Sequence, residues 1–311
     1  MKVLLALDGS APSLVARDLV RSLPWPAATV VHLLAAYQVP IDWTGGVGST
    51  MDWVGDVEDA IRDQFHDELR THAAPLVDGG LTIERHVIRG RAADAINDLA
   101  AQIGAELIVT GSRGRGQLAS MLLGSVATEV ATHAACPVLV ARGTTVSRLL
   151  VATDGSATAD AIPERLGDWD LFRGSQTDAV AVSVPDDPAF ELMVGLYTLG
   201  DERLAAMRAE SAEKARADAD AMAQRLTSIG IPATAHVRKG DPAHEILAAA
   251  EDHGSDLIVT GSRGLGGIER LLLGSVARNV LVHARRSVLI MRAADRRGPT
   301  DRTPGTSSAG S

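Results

Sequence analysis

Short apolar runs alternate along the chain with longer segments in which apolar residues recur at helical spacing. The short runs, such as VLLAL from Val3 and LIVT from Leu107, are rich in Val, Leu and Ile and are bounded by Gly, Pro or Asp. Such runs favour buried strands, whereas Ala- and Leu-rich windows such as Ala92–Ile103 and Leu199–Ile229 favour helices. This alternation predicts an α/β fold, in which a parallel sheet is covered by helices on both faces.

The predicted pattern occurs twice. The segments Gly104–Ala127 and Gly254–Ala277 are identical at 16 of 24 positions, with an offset of 150 residues. VLLALDGSAPS from Val3 matches LLVATDGSATA from Leu149 in the same way. We therefore predict two tandem domains, each with a five-stranded parallel sheet of strand order 3-2-1-4-5. They span residues 1–143 and 147–292, and the Gly-, Ser-, Thr-, Pro- and Arg-rich tail at 293–311 is predicted to be disordered.

Composition excludes several functional classes. Hydrophobic residues make up 46% of the chain, which is enough for a packed core in each half. The net charge of −9, with no basic block before the tail, argues against nucleic acid as a partner. Cys136 is the single cysteine, so an intramolecular disulfide and a Cys-based metal cluster are both excluded. Because the sequence has no signal peptide and no long apolar run, we expect a cytoplasmic protein that does not contact membranes.

A Gly-rich loop follows the fourth predicted strand of each copy. Gly111, Gly114, Gly124 and Ser125 form the pattern G-x2-G-x9-G-S, and Gly261, Gly264, Gly274 and Ser275 repeat it. Glycines permit positive φ and close approach of the backbone to a ligand. A helix predicted to start near the last Gly-Ser pair would direct its N–H groups and its positive dipole end at the same ligand. Arg113 and Arg263 add positive charge, so the pattern predicts a phosphate site in each copy.

A second repeated motif follows the first strand of each copy. Asp8-Gly9-Ser10 recurs as Asp154-Gly155-Ser156. If the first and fourth strands are neighbours, these residues face the Gly-rich loops across a crevice. A carboxylate there can accept hydrogen bonds from ribose hydroxyls, or it can be the N-cap of the next helix. Both interpretations stay open at this point.

These motifs resemble those of the universal stress protein (Usp) family, in the tandem form with two Usp domains known from actinobacteria. The resemblance covers Lys2 to about Arg292, and the glycine spacing resembles that of the family's ATP-binding subgroup. It implies two ATP molecules per chain, with Ala36 and Val184 facing the adenine. It also implies that the last strands, Pro137–Ala141 and Ser287–Met291, pair about a pseudo-two-fold axis, and that two chains form a homodimer.

The resemblance assigns ATP-binding residues in both copies. In the first copy they are Asp8, Gly9, Gly111, Ser112, Arg113, Gly114, Arg115, Gly116, Gly124, Ser125 and Val126. In the second copy they are Asp154, Gly155, Gly261, Ser262, Arg263, Gly264, Leu265, Gly266, Gly267, Gly274, Ser275 and Val276. The first loop carries Arg115 where the second carries Leu265, so we expect the two sites to differ in affinity.

The leading functional hypothesis is an ATP-binding regulatory sensor in stress response or dormancy, with little or no turnover and with a protein partner that the sequence does not identify. One alternative is a slow ATPase or nucleotidyl-transfer enzyme, although the sequence offers no convincing general base near the phosphates. Another is an interaction scaffold in which ATP is structural. Asp8 or Asp154 could hold Mg²⁺ with the phosphates, but no dedicated metal cluster is predicted. His86 and His236, at matching strand positions, are interpreted as packing residues.

Overall fold

The computed structural model describes residues 1–38, 52–114, 123–174, 176–183, 201–262, 264 and 273–292. The predicted tail at 293–311 lies outside these ranges. Among the helices described, none is both long enough and apolar enough to cross a membrane.

Strands and helices alternate in both halves of the chain. The described elements of the first half are β1 Lys2–Ala6, α1 Ala11–Ser22, β2 Val30–Tyr37, α2 Asp52–Asp78, β3 Thr82–Arg89, α3 Ala92–Ile103, β4 Leu107–Gly111, α4 Ser125–His133 and β5 Val138–Ala141. Those of the second half are β6 Arg148–Thr153, α5 Ala157–Asp160, α6 Ile162–Trp169, β7 Gln176–Ser183, α7 Asp201–Ser228, β8 Ala233–Lys239, α8 Pro242–Asp252, β9 Leu257–Gly261, α9 Ser275–His283 and β10 Ser287–Met291.

Local sequence explains several of the helix ends. Ser10 and Ser156 accept hydrogen bonds from backbone N–H groups of the first turns of α1 and α5. Asp241 does the same at the start of α8, where its Oδ1 lies 2.8 Å from the amide nitrogen of His244. Helix α3 ends at Gly104, whose φ of 64° is left-handed and therefore favours glycine.

The ten strands form one sheet, in the order β3-β2-β1-β4-β5-β10-β9-β6-β7-β8. Within each half the neighbours are parallel, and the strands run third, second, first, fourth, fifth from the outer edge inwards. The five parallel strands predicted for each domain are thus the two halves of one ten-stranded sheet. A single antiparallel contact at the centre joins the halves, so the sheet is mixed and continuous.

The central contact is the predicted pairing of the two last strands, which is confirmed. Strand β5 runs antiparallel to β10, with Leu139 opposite Leu289 and Val140 opposite Val288. A half with an uncovered β5 would present a row of unpaired N–H and C=O groups, which attract other strands. The antiparallel pair removes this edge from both halves at once.

Apolar side chains fill two cores, one on each face of the sheet. Leu5, Leu139 and Leu289 are buried on the face covered by α1, α2, α6 and α7. Leu4 and Val140 are buried on the opposite face, under α3, α4, α8 and α9. Alternation of side chains along each strand sends neighbouring residues to opposite cores. Both cores include residues of both halves, so the halves share continuous apolar packing.

Two arginines that follow the central strands reach across to the opposite half. Arg142, after β5, donates through Nη2 to the carbonyl oxygen of Leu281 in α9, at 2.6 Å. Arg292, after β10, donates to the carbonyl oxygens of Ala131 and Thr132 at the end of α4, the latter at 2.9 Å. The last carbonyls of a helix have no partner within it, and a cation there also complements the helix dipole. The pseudo-two-fold arrangement therefore caps one helix of each half with an arginine from the other.

The contacts of Ser287 explain one sequence difference between the two copies. The first copy has Pro137 before its last strand, whereas the second has Ser287 at the matching position. The Ser287 hydroxyl is buried and accepts hydrogen bonds from the backbone N–H groups of Arg142 and Gly143, at 3.1 and 3.3 Å. The serine thus holds the chain where it leaves the first half, a contact that proline could not make.

We predict that Arg292→Ala lowers the free energy of unfolding by about 1.5–3 kcal/mol, the usual contribution of a hydrogen bond that involves a charged group. Arg292 is only 7% exposed, so its loss leaves the α4 carbonyls without their cap in a site that water enters poorly. Urea denaturation measures the change. Arg285→Ala, at an exposed position near the same junction, is the control and should change stability by less than about 0.5 kcal/mol. Equal stabilities of the two variants would show that the cross-domain cap contributes nothing.

Candidate functional site

The predicted site residues meet where β1 and β4 end. The two strands are neighbours, with Val3 beside Leu107 and Leu5 beside Val109. Since both are parallel, their carboxyl ends lie at the same edge of the sheet, and this edge is where α/β folds bind ligands. The Asp8-Gly9-Ser10 turn and the Gly-rich loop that starts at Gly111 therefore face each other.

The Asp-Gly-Ser turn has the same geometry in both copies. Asp8 Oδ1 accepts hydrogen bonds from the Ser10 amide at 3.0 Å and from the Ser10 hydroxyl at 2.6 Å. Asp154 Oδ1 accepts from the Ser156 amide, also at 3.0 Å. Gly9 and Gly155 have left-handed φ angles of 73° and 70°, which L-amino acids with side chains adopt rarely.

This turn settles one question that the sequence left open. The residue that caps the next helix is the serine, not the aspartate. The aspartate carboxylate instead fixes the capping serine from two residues upstream, as in an Asx turn. The interpretation of Asp8 and Asp154 as N-caps is therefore wrong.

The base of each Gly-rich loop is closed by the same backbone hydrogen bond. The amide of Gly124 donates to the carbonyl oxygen of Ser112 at 2.7 Å, and the amide of Gly274 donates to that of Ser262 at 2.8 Å. Helices α4 and α9 then begin, at Ser125 and Ser275, so the predicted helix starts are confirmed. Their N-caps are glycines without a side-chain hydrogen bond, so no cap side chain covers the first amides of either helix.

The loop glycines are needed for close approach rather than for a special φ. Neither Gly111 nor Gly114 has a positive φ, so the expected role of positive φ is wrong at these two positions. A Cβ atom on Gly111 would lie 2.6 Å from the backbone of Pro12, and one on Gly114 would lie 2.7 Å from Asp8 Oδ2. A Cβ on Gly264 would also collide with Asp154 Oδ2. Only glycine lets the loop lie this close to the aspartate.

A cavity of about 350 Å³ lies between these elements in the first half. Its volume falls in the range of about 300–1,000 Å³ that is typical of small-molecule sites. The polar part of its wall is formed by Asp8, Ser13, Thr110, Gly111, Arg113, Gly114, Gly124 and Ser125. The apolar part is formed by Ala6, Leu7, Leu34, Ala36, Ala92, Ile96, Val126 and Ala127. The lining therefore combines groups that suit an anion with groups that suit a flat apolar ring.

The cavity lining contains both predicted and missed residues. The structure brings together Asp8, Gly111, Arg113, Gly114, Gly124, Ser125 and Val126, and places Ala36 on the apolar wall. Gly9 follows Asp8 and Ser112 follows Gly111 in the sequence, but neither lines the cavity. The sequence did not single out Leu34, Ala92 or Ile96 as site residues. Leu34 could have been found, because it is on the same face of β2 as Ala36, two residues away.

The polar part of the cavity wall carries a positive charge. Arg113 lines it, and the backbone carbonyl of Arg113 accepts from the Ser10 hydroxyl at 3.4 Å. Burial, and secondarily the charge of Arg113, lowers the pKa of Arg142 to about 10. The charge of Arg113 in the cavity lining therefore acts on Arg142, the arginine that reaches across to the other half.

The second copy repeats this framework with different neighbours. Lys214 on α7 donates to the carbonyl oxygen of Asp154 at 3.4 Å and forms an ion pair with Asp218 at 2.6 Å. A Cβ on Gly155 would lie 2.7 Å from the Asp218 carboxylate, so α7 packs tightly on this turn. Arg115, Gly116, Arg263, Leu265, Gly266, Gly267 and Val184 lie outside the described residues.

Comparisons with known proteins agree with the two-fold repeat. The family model described as "Universal stress protein family" matches residues 1–142 and again residues 145–292. A universal stress protein of Mycolicibacterium smegmatis is 30% identical over 225 residues, which cover 68% of this chain and 70% of the relative. One from Mycobacterium tuberculosis is 32% identical over 197 residues, which cover 60% of this chain and 62% of the relative, slightly less than two thirds of its length.

A solved structure shares the fold over nearly the whole chain. The crystal structure of a universal stress protein from Archaeoglobus fulgidus superposes with a TM-score of 0.64 at 20% sequence identity, covering 94% of this chain and 98% of that one. An identity this low supports the fold alone. Together with the family model, which matches both halves, it shows that the chain belongs to the universal stress protein family and contains two Usp domains in tandem.

Proposed function

We propose that each half of this protein binds ATP and that ATP occupancy regulates the protein, with little or no turnover. The observation that carries the proposal is the cavity of the first half, because it combines a polar loop, a helix N-terminus and an apolar wall in one crevice. A nucleotide has the same division, with a charged phosphate end and a flat, largely apolar base.

The polar part of the cavity wall suits a chain of phosphates. The first amides of α4 are not covered by a cap side chain, and the positive end of the helix dipole lies at the same place. Arg113 supplies a full positive charge in the cavity lining. Gly114 keeps the loop backbone beside Asp8, with no side chain between the loop and the crevice. Mg²⁺ held between Asp8 and the phosphates would be compatible with this arrangement.

The apolar part of the cavity wall suits the nucleoside. Leu34, Ala36 and Ile96 present small and medium apolar groups against which an adenine ring can pack. The Asp8 carboxylate lines the same cavity beside Gly114, and it can accept hydrogen bonds from ribose hydroxyls. Its Oδ1 is already engaged with Ser10, which fixes the orientation of the carboxylate before any ligand arrives.

The lining favours binding over catalysis. Among the residues that line the described cavity, Asp8 is the only carboxylate, and no histidine or cysteine is present. Phosphoryl transfer to water needs a group that orients or deprotonates the attacking molecule. The alternatives are a slow ATPase or nucleotidyl transferase, and a scaffold with structural ATP. Phosphate release measured with purified protein separates the enzyme from the sensor, and a comparison of protein partners with and without ATP separates the sensor from the scaffold.

We further propose a cytoplasmic homodimer that acts in stress response or dormancy through a protein partner. The mycobacterial relatives are named universal stress proteins, and this is the support for the stress role. Mass spectrometry of the ligand released from freshly purified protein would identify the nucleotide, and light scattering would give the number of chains in the assembly.

Calorimetric titration of the nucleotide-free chain should saturate at two ATP per chain, because both copies have the closed loop base and the glycine beside the aspartate. We expect the second site to be weaker, since Leu265 replaces Arg115 and the Asp218 carboxylate lies beside its turn. Saturation at one ATP would restrict the proposal to one half, and the absence of binding would refute it.

Gly114→Ala should weaken ATP binding at the first site by at least about tenfold, which is about 1.4 kcal/mol. The added methyl group would occupy the position next to Asp8 Oδ2 and displace either the carboxylate or the loop. Gly264→Ala should have the same effect on the second site alone. Titration of each variant measures both affinities.

The control for this pair is Gly55→Ala, because a Cβ at Gly55 in α2 meets no atom within 4 Å. It should leave both affinities unchanged. If Gly114→Ala and Gly264→Ala also bind ATP as the unaltered chain does, the loops are only turns and the proposed site is wrong.

A further inference from the structure

Three potential metal ligands lie together in the first half, outside the lining of the cavity. His32 on β2 is directly opposite Glu84 on β3, and His86 follows Glu84 by two residues. Since paired residues share a face and side chains alternate along a strand, all three are on one face of the sheet. They lie near the amino-terminal ends of β2 and β3, whereas the cavity is at the carboxyl ends.

The distances between these side chains are close to those within a metal coordination sphere. His32 Nδ1 lies 3.1 Å from His86 Nε2 and 3.3 Å from Glu84 Oε2. One ligand atom from each residue lies within 4.8 Å of the other two. Zinc binds nitrogen and oxygen at about 2.0–2.2 Å, so adjacent ligands of a tetrahedral site are about 3.3–3.6 Å apart. A small movement of Glu84, whose side chain is 57% exposed, would complete the arrangement.

His32 is buried in the fold, and His86 beside it is partly buried. Burial lowers the pKa of His32 and the pKa of His86, and this effect exceeds the opposing effect of Glu84. His32 is 5% exposed, and its Nε2 is buried with no hydrogen-bond partner among the described residues, which leaves Nδ1 as its donor atom to a metal.

We propose that His32, Glu84 and His86 form a binding site for one divalent transition-metal ion, of which zinc is the best match. Two imidazoles and one carboxylate suit zinc better than they suit calcium or magnesium, which prefer oxygen ligands. Three protein ligands leave a fourth position for water or an external ligand on the solvent side of Glu84. The sequence predicted no metal site and assigned His86 to packing, because His32 is far away along the chain.

One nearby charge opposes the ion. Lys2, on β1 beside β2, lies close enough for its charge to lower the pKa of His32, and its ammonium group donates to the carbonyl oxygen of Ile103 at 2.9 Å. This hydrogen bond holds the ammonium at the end of α3. The Glu84 carboxylate has the opposite effect on the pKa of His32, and that effect is larger than the effect of Lys2.

The second half provides an internal comparison. The same register places Asp178 opposite Thr234, with His236 two residues further along β8. Only the second histidine of the triad is retained, and the Thr234 hydroxyl lies 3.1 Å from His236 Nε2. The proposed site therefore belongs to the first half, and we expect one metal ion per chain. It would join β2 to the outer strand β3 and stabilise that end of the sheet.

The test uses the full-length chain without an affinity tag, stripped of metal by a chelator and free of nucleotide. Co²⁺ should bind at one equivalent per chain with the visible absorption bands of a tetrahedral site, and Zn²⁺ should displace it. Zn²⁺ should also raise the unfolding temperature. His86→Ala should abolish the bands, and Glu84→Gln should weaken Zn²⁺ binding at least about tenfold, since loss even of an outer-shell partner costs that much.

The matched control is His236→Ala, which should bind Co²⁺ as the unaltered chain does. Glu84→Gln changes an exposed side chain, so it keeps the test valid even if His86→Ala folds poorly. The proposal is overturned if Co²⁺ gives no saturable band, if Glu84→Gln leaves the affinity unchanged, or if His236→Ala removes the signal. None of these outcomes depends on ATP, because no residue of the triad lines the cavity.

Discussion

The pairing of β1 with β4, and of β6 with β9, is the constraint on which both candidate nucleotide sites depend. Right-handed crossovers send the chain away from the first strand to one side and bring the fourth strand in on the other, which opens a crevice at their carboxyl ends. The Asp-Gly-Ser turn and the Gly-rich loop meet in this crevice. Backbone geometry shapes much of the site. The left-handed Gly9 bends the turn that holds Asp8, Gly114 allows the loop to approach Asp8 closely, and α4 starts at Ser125 after a glycine N-cap.

The antiparallel pairing of β5 with β10 joins the two domains into one continuous sheet. The charge of Arg142 links this junction to the cavity. Arg142 follows β5, donates to a helix of the opposite half and interacts with the charge of Arg113 in the cavity lining. In the proposed sensor, phosphates that neutralise Arg113 would change the electrostatic environment of Arg142.

Most of the fold could be predicted from the sequence, because strands and helices follow local apolar patterns. The tandem repeat and the pairing of the two last strands, which joins the halves into one sheet, were also predicted. The glycine spacing correctly located the loop, but positive φ was wrongly expected at Gly111 and Gly114. The neighbours that exclude a side chain there, Pro12 and Asp8, are set by the folded chain. The same limit applies to the His32, Glu84 and His86 cluster, which depends on the register of β2 with β3, and to Arg292, which caps a helix 160 residues away.

The most direct measurement of the central claim is a crystal structure of the full chain grown with ATP. The account predicts electron density for the triphosphate between the loop at Gly111–Gly114 and the first turn of α4, with ribose at Asp8 and adenine against Ala36. Density for the nucleotide elsewhere on the molecule, or an empty cavity at saturating ATP, would contradict it.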